Sequence, residues 1–298
     1  MTPAERERLI HQGMARAQRA MENLDATGLA EIERVYQSAA REIAQVLAER
    51  ADDGSELTLA QLRGALQQIE WRLSTLSEAR DVLVNDGLRV AAELGAQPFL
   101  RAEVDVTALL RVPDEAVRFT QAFIGADGLQ LSDRLWRIDR GARDAVVNAV
   151  ERSVVMGQNA AQAAREFLTR GQPVPAEVQG KLNAANATAM GRETTALMVG
   201  EGRAGGGAMA QAQRVFRTEI NRAHGAAYMK QAEQTPGFRG FQFTLSPAHP
   251  NPDVCDEIAA RDAFGLGPGV FPNMEEFLKV WPAHPNTLSY PVGIFGKP

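Results

Sequence analysis

The chain reads as a mainly α protein, with long N-terminal helices followed by a helical plus small-β (α+β), loop-rich C-terminal domain. Three observations carry this expectation. Apolar residues recur at alternating spacings of four and three through much of the chain. Aromatic residues make up only 6% while alanine is abundant, which suits lightly built helical cores. A clear strand signal occurs once, late in the sequence.

The stripes come in order. Ile10, Met14, Ala17, Met21 and Leu24 form the first, and Leu29, Ile32, Tyr36, Ala39, Ile43 and Val46 the second. Leu62, Leu66, Ile69, Leu73 and Leu76 form the third. Such spacing favours long helices packed at shallow angles. Breaks are expected at Asp25-Ala26-Thr27-Gly28 and at Asp52-Asp53-Gly54-Ser55, with Thr58 capping the third helix. The stripes suit either an intramolecular bundle or a face that zips onto partner subunits.

Between Gly95 and Asp127 the breakers Pro98, Pro113, Gly125 and Gly128 predict a connector with one or two short helices. Ser132 then caps a helix to about Val155, with Leu135, Ile138, Ala142, Val146 and Val150 on one face. Asn159 caps another carrying Ala160, Ala163, Ala164, Phe167 and Leu168, and a further helix follows Pro175. Gly200, Gly202, Gly205, Gly206 and Gly207 form a flexible loop. It is not read as a phosphate cradle, because no Gly-Lys-Ser/Thr follows. A long helix is expected from Met209 to Gln234, a strand over Phe238, Phe241, Phe243 and Leu245, and a short helix near Met274–Val280. The tail carries too little apolar content to be rigid by packing alone, and is expected to need the helical body, a cross-link or a metal.

Composition excludes several classes. The 298 residues carry a net charge of −5, which argues against a protein whose main task is gripping nucleic acid. From Gly206 onward eight Lys/Arg face eight Asp/Glu, so no phosphate-attracting field shows there. Cys255 is the only cysteine, so no intrachain disulfide is expected. Met1–Arg6 offers no apolar signal core, and no run of about 18 apolar residues suggests a membrane span. The expectation is a protein of the cytoplasm, with no membrane partner.

The pentapeptide Pro-Ala-His-Pro-Asn occurs twice, at Pro247–Asn251 and Pro282–Asn286, with Cys255 between the copies. Proline holds each preceding histidine extended, so two stiff loops present one imidazole each. One reading takes His249, Cys255 and His284 as metal ligands with Asp253 or Asp256 as a fourth, zinc being the candidate ion. A second has each imidazole bonded within its own turn and Cys255 buried as a small hydrophobe. A third is nuclease-like, acting on phosphodiesters through a bound metal. His224 reads as a packed helix residue, and Arg217, Glu219 and Arg222 as an ion-pair group on one helix.

Four segments resemble the phage Mu F-like family of minor head (head morphogenesis) proteins. They are Leu131–Arg137; Arg217–Ala223; Leu245–Pro250 with Asp253–Asp256 and Gly265–Pro272; and Pro282–Asn286. The similarity spans roughly Leu129 to Tyr290. It implies a Mu F-like domain over 126–298, loop-rich and β-containing from about 236, behind a helical region over 1–125 that docks on portal or capsid. It further implies a non-enzymatic virion component inside the head, made in the host cytoplasm. The partners implied are portal protein, major capsid protein and copies of itself, close to packaged DNA without gripping it. In that family a Cys-x-Cys pair follows the last His-Pro; here those positions are Thr287 and Ser289, which removes two soft donors. What remains is His249, Cys255 and His284 with an aspartate such as Asp253, or a hydrogen-bonded turn. The alternatives from other classes are a metal-dependent hydrolase or nuclease using the His-Pro loops, and a scaffolding or adaptor protein outside phage biology.

Overall fold

A computed structural model describes residues 1–51, 59–102, 106–125, 127–154, 184–200, 206–246, 249, 252–284, 287 and 289–296. Among them are eight α-helices and one three-stranded antiparallel sheet, in agreement with the mainly α expectation. The helices are α1 (Pro3–Ala51), α2 (Leu59–Ala96), α3 (Val106–Ala122), α4 (Leu131–Val154), α5 (Ala184–Val199), α6 (Ala208–Glu233), α7 (Val254–Ala260) and α8 (Met274–Leu278). The strands are β1 (Phe238–Thr244), β2 (Val270–Phe271) and β3 (Tyr290–Phe295). No helix among the described residues is long and apolar enough to cross a membrane.

The chain condenses into two compact units, each built from non-consecutive segments. One comprises Met1–Leu29, Leu83–Arg134 and Arg214–Pro298; the other comprises Ala30–Val82 and Leu135–Gln213. These units do not coincide with the division at residues 125 and 126 expected from the sequence.

Local differences have physical causes. The expected break at Asp25–Gly28 is absent, and α1 runs through it. Asp25 takes a bidentate pair from Arg217 at 2.8–3.0 Å, and Gly28 receives the Phe216 ring, so turn-forming residues serve as helix contacts. The connector holds a 17-residue helix, α3, with Pro113 inside it. Helix α4 begins at Leu131, where the Asp133 carboxylate accepts the Gln130 N–H at 3.1 Å. The Thr58 cap, the helices expected over 160–168 and after Pro175, and Gly202 and Gly205 lie outside the described residues.

In the first unit the sheet order is β2-β1-β3, with Phe241 opposite both Phe271 and Gly293. Phe241, Phe243, Phe271, Phe277, Trp281 and Phe295 are buried together against Ile10, Met14, Phe99, Tyr228 and Met229. The tail aromatics therefore share one core with the helical body, which is one of the three supports expected from the sequence. Helices also occupy the outer edge of β3. The Gly293 N–H donates to the Tyr228 hydroxyl at 2.9 Å, and its carbonyl lies 3.4 Å from His11 Nε2. An edge with its polar groups taken is closed to stray strand pairing.

Close helix approach in this unit depends on glycine. A Cβ at Gly95 would stand 2.1 Å from the His224 carbonyl oxygen, and one at Gly28 or Gly87 would strike the Phe216 ring at 2.1 or 2.6 Å. Beside these contacts lies a buried charge group. Glu219 accepts from Arg222 and, at 2.6 Å, from Arg134, which also pairs with Asp127 at 2.9 Å. The Arg222 guanidinium sits 4.2 Å over the Phe123 ring. Two of the sequence segments singled out above, Leu131–Arg137 and Arg217–Ala223, are thus joined by one carboxylate. Removing one partner from a buried pair costs about 3–5 kcal/mol, because the other charge is stranded.

The second unit has its own buried cation. Arg80 is fully buried and donates to both Asp81 and Asp139, the latter through a 3.0 Å bond to Oδ2. Around it Ile32, Tyr36, Ile43, Ile69, Leu73, Ile138 and Val146 are buried, as their stripes predict.

Two stability predictions follow from this packing. Gly95→Ala should lower unfolding free energy by about 1–3 kcal/mol, because overpacking against backbone outweighs helix propensity. Gly141→Ala, with nothing within 4 Å of the new Cβ, should raise it by roughly 0.5–1 kcal/mol. Urea unfolding of both variants checks the pair. His224 provides the pH test: burial pushes its imidazole down from 6.5 to about 4. The unfolded chain therefore takes up the proton first on acidification. The stabilisation is fully present above about pH 6.5, shrinks as pH falls, and is gone below about pH 4. A displacement of that size is worth roughly 3 kcal/mol, so a His224→Gln variant should lose that much less stability between pH 7 and pH 4 in urea titrations.

Candidate functional site

The site is assembled where the loop after β1 meets the start of α7. Asp253 is the N-cap of α7: its Oδ1 accepts the Cys255 N–H at 2.7 Å, while Asp256 Oδ2 accepts the Asp253 N–H at 2.8 Å. This reciprocal box is what an Asp-x-x-Asp spacing before a short helix produces. It fixes two carboxylates and one thiol within a single turn.

Both repeated loops deliver their imidazoles here. His249 Nε2 lies 2.8 Å from Asp256 Oδ2 and 3.7 Å from Asp253 Oδ1. His284 Nε2 lies 3.0 Å from Asp253 Oδ2 and 3.4 Å from Cys255 Sγ. Asp253 therefore stands between two histidines that are 35 residues apart in sequence. Of the residues expected from the sequence, Asp253 groups with Cys255 and His284 on one side and with His249 and Asp256 on the other.

The far loop is held by contacts that sequence patterns did not reveal. Asn221 of α6 donates through Nδ2 to the carbonyls of Thr287 at 3.0 Å and Ser289 at 3.3 Å. Trp281 Nε1 donates to the Ser289 carbonyl at 2.7 Å, and the indole ring fills the space a side chain at Gly225 would take. Thr287 and Ser289 are both buried, and Thr287 Oγ1 lies 3.4 Å from Cys255 Sγ. Nothing in the spacing of this helix marked Asn221 as an anchor.

The electrostatics follow from these bonds. The Cys255 amide, with both nearby imidazoles, holds the Asp253 carboxyl below the usual carboxylate range. Asp256 is lowered in the same way by the Asp253 amide and by His249. Burial pushes the Cys255 thiol up. A relay of the Cys-His-Asp kind needs the two ring nitrogens to face different partners. Here one nitrogen, His284 Nε2, faces both thiol and carboxylate.

Donor chemistry decides whether zinc suits the residues. Imidazole, thiolate and carboxylate are all zinc donors, and the three ligand atoms of Asp253, Cys255 and His284 lie within 4.8 Å of one another. Thr287 and Ser289 contribute hydroxyls, which are poor ligands. The trio fits a zinc ion with a position left for a non-protein ligand.

Comparison with known proteins finds no matching family model, no similar curated protein and no similar solved structure.

Replacing Asp253 separates its two roles. Asp253→Ala should destabilise the start of α7 through loss of the cap. Asp253→Asn keeps capping ability and should cost less, while uncoupling the imidazoles from their shared charge. Amide hydrogen exchange at Cys255 should accelerate markedly in the alanine variant and only slightly in the asparagine variant.

Proposed function

We propose that this chain is a non-enzymatic structural component of a phage head, a minor head protein of the Mu F-like kind. In this reading it binds portal protein or the inner face of the capsid, alongside other copies of itself. It aids head assembly or genome delivery, passing through the host cytoplasm before residing in the particle. The observation that carries the reading is the convergence of the two His-Pro loops on Asp253. Their imidazoles are committed to carboxylates, and the following strip is tied to α6 through Asn221. Such side chains are spent on bracing and not on turnover. Two further features support it. The hydroxyls of Thr287 and Ser289 are buried where the resemblance expects cysteines, so the loop stays closed without them. The near-balance of charge from Gly206 onward suits a protein that sits near DNA without gripping it.

Mass spectrometry of purified particles and of their assembly intermediates tests this proposal. The chain should be present at defined copy number and should co-purify with portal subunits. Its absence from both kinds of particle would remove the reading.

The trio Asp253, Cys255 and His284 favours one competing reading, a metal-dependent hydrolase. Plasmid DNA incubated with the protein and magnesium or manganese should remain intact. Cleavage abolished by His249→Ala and His284→Ala would establish the enzyme instead.

A further inference from the structure

The residues around Asp253 divide into two donor sets that share one carboxylate. The first is Asp253, Cys255 and His284; the second is His249, Asp253 and Asp256. A single tetrahedral ion at ordinary bond lengths separates its ligand atoms by about 3.3–3.6 Å. In the first set the Sγ–Nε2 edge is 3.4 Å and the Nε2–Oδ2 edge 3.0 Å. In the second the edges from His249 Nε2 are 2.8 Å to Asp256 and 3.7 Å to Asp253. Each set is near coordination size. The Asp253 oxygens are also divided between them, with Oδ2 facing His284 and Oδ1 facing His249.

The Ser289 hydroxyl is buried beside the Cys255 thiol and hydrogen-bonds with it, so a polar side chain already backs the first donor set.

We propose that this centre binds two zinc-class divalent cations bridged by the Asp253 carboxylate. One ion is held by Cys255 and His284, the other by His249 and Asp256. Charge supports the pairing. With the thiol ionised, the cluster offers three negative charges, two carboxylates and one thiolate. Two dications leave one net positive charge, and the thiol proton leaves to solvent on binding. The set containing the thiolate takes the ion more tightly, and the imidazole-carboxylate set takes the second. In this role the ions tie each repeated loop to the start of α7. The inference depends only on this cluster and does not rest on the head-assembly reading.

The test uses the full chain, stripped with chelator, reloaded with zinc and analysed by native mass spectrometry and elemental analysis. Two zinc ions per chain are expected. Cys255→Ser and His249→Ala should each retain one, and Asp253→Asn, which preserves capping, should weaken both by at least tenfold. Cobalt substitution distinguishes the sites. The thiolate-to-cobalt charge-transfer band should survive His249→Ala and vanish in Cys255→Ser, and magnetic coupling between two cobalt ions should vanish in either. Saturation at one ion, an ion lost equally to either substitution, or no binding would overturn the proposal. None of these outcomes bears on whether the chain is found in particles.

Discussion

Helix α6 meets α2 at backbone distance, where Gly95 leaves room for the His224 carbonyl, and the first compact unit depends on that approach. Dispersion forces fall off steeply over fractions of an ångström, so a helix held away by one methyl group would forfeit its contacts along the whole seam. The Phe216 ring, with Gly28 and Gly87 beneath it, uses the same allowance. With α6 seated at this depth, Tyr228 can reach the edge of β3 and Asn221 can reach the last loop. The small sheet and the imidazole cluster are consequently positioned by a helix that contributes no side chain to the cluster.

Depth of burial also decides which charges need partners. Glu219 is almost wholly enclosed, and a carboxylate there would be prohibitive without two guanidiniums. Arg134 brings the start of α4 to that carboxylate, and Asp127 completes the chain of pairs. The pairing is directional where hydrophobic contact is not, so it sets register between segments 85 residues apart. His224, buried with no partner for Nε2 among the described residues, shows the opposite solution, remaining neutral. Arg80 repeats the paired solution in the second unit.

The Asp253 cluster draws its form from a short helix start. A capping carboxylate has two oxygens, and only one is needed for the Cys255 amide. The other is free to receive His284, and the box partner Asp256 receives His249. Local capping chemistry thereby becomes a junction for two distant loops. Steric closure of the second loop comes from Trp281 and from the buried Thr287 and Ser289.

Much of this was legible in the sequence. The stripes of Ile10 to Met21, Ile32 to Val46 and Ile69 to Leu76 are buried, α6 begins and ends within a residue of expectation, and β1 lies over its phenylalanines. These features are local: helical periodicity and strand alternation are written in neighbouring residues. The repeated pentapeptide likewise marked both histidines. The continuity of α1 through Asp25–Gly28 was not legible, because turn residues become helix contacts only once Arg217 and Phe216 arrive from far along the chain. Nor was the closing strand β3, which contains Pro291 and Gly293 and takes its register from β1. The role of Asn221, and the division of the cluster about Asp253, also depended on separations that no spacing encodes. Sequence alone determined which residue types could do chemistry and which faces would be buried. Tertiary structure decided which of them meet, since distances between remote segments are set by close packing and not by neighbours in the chain.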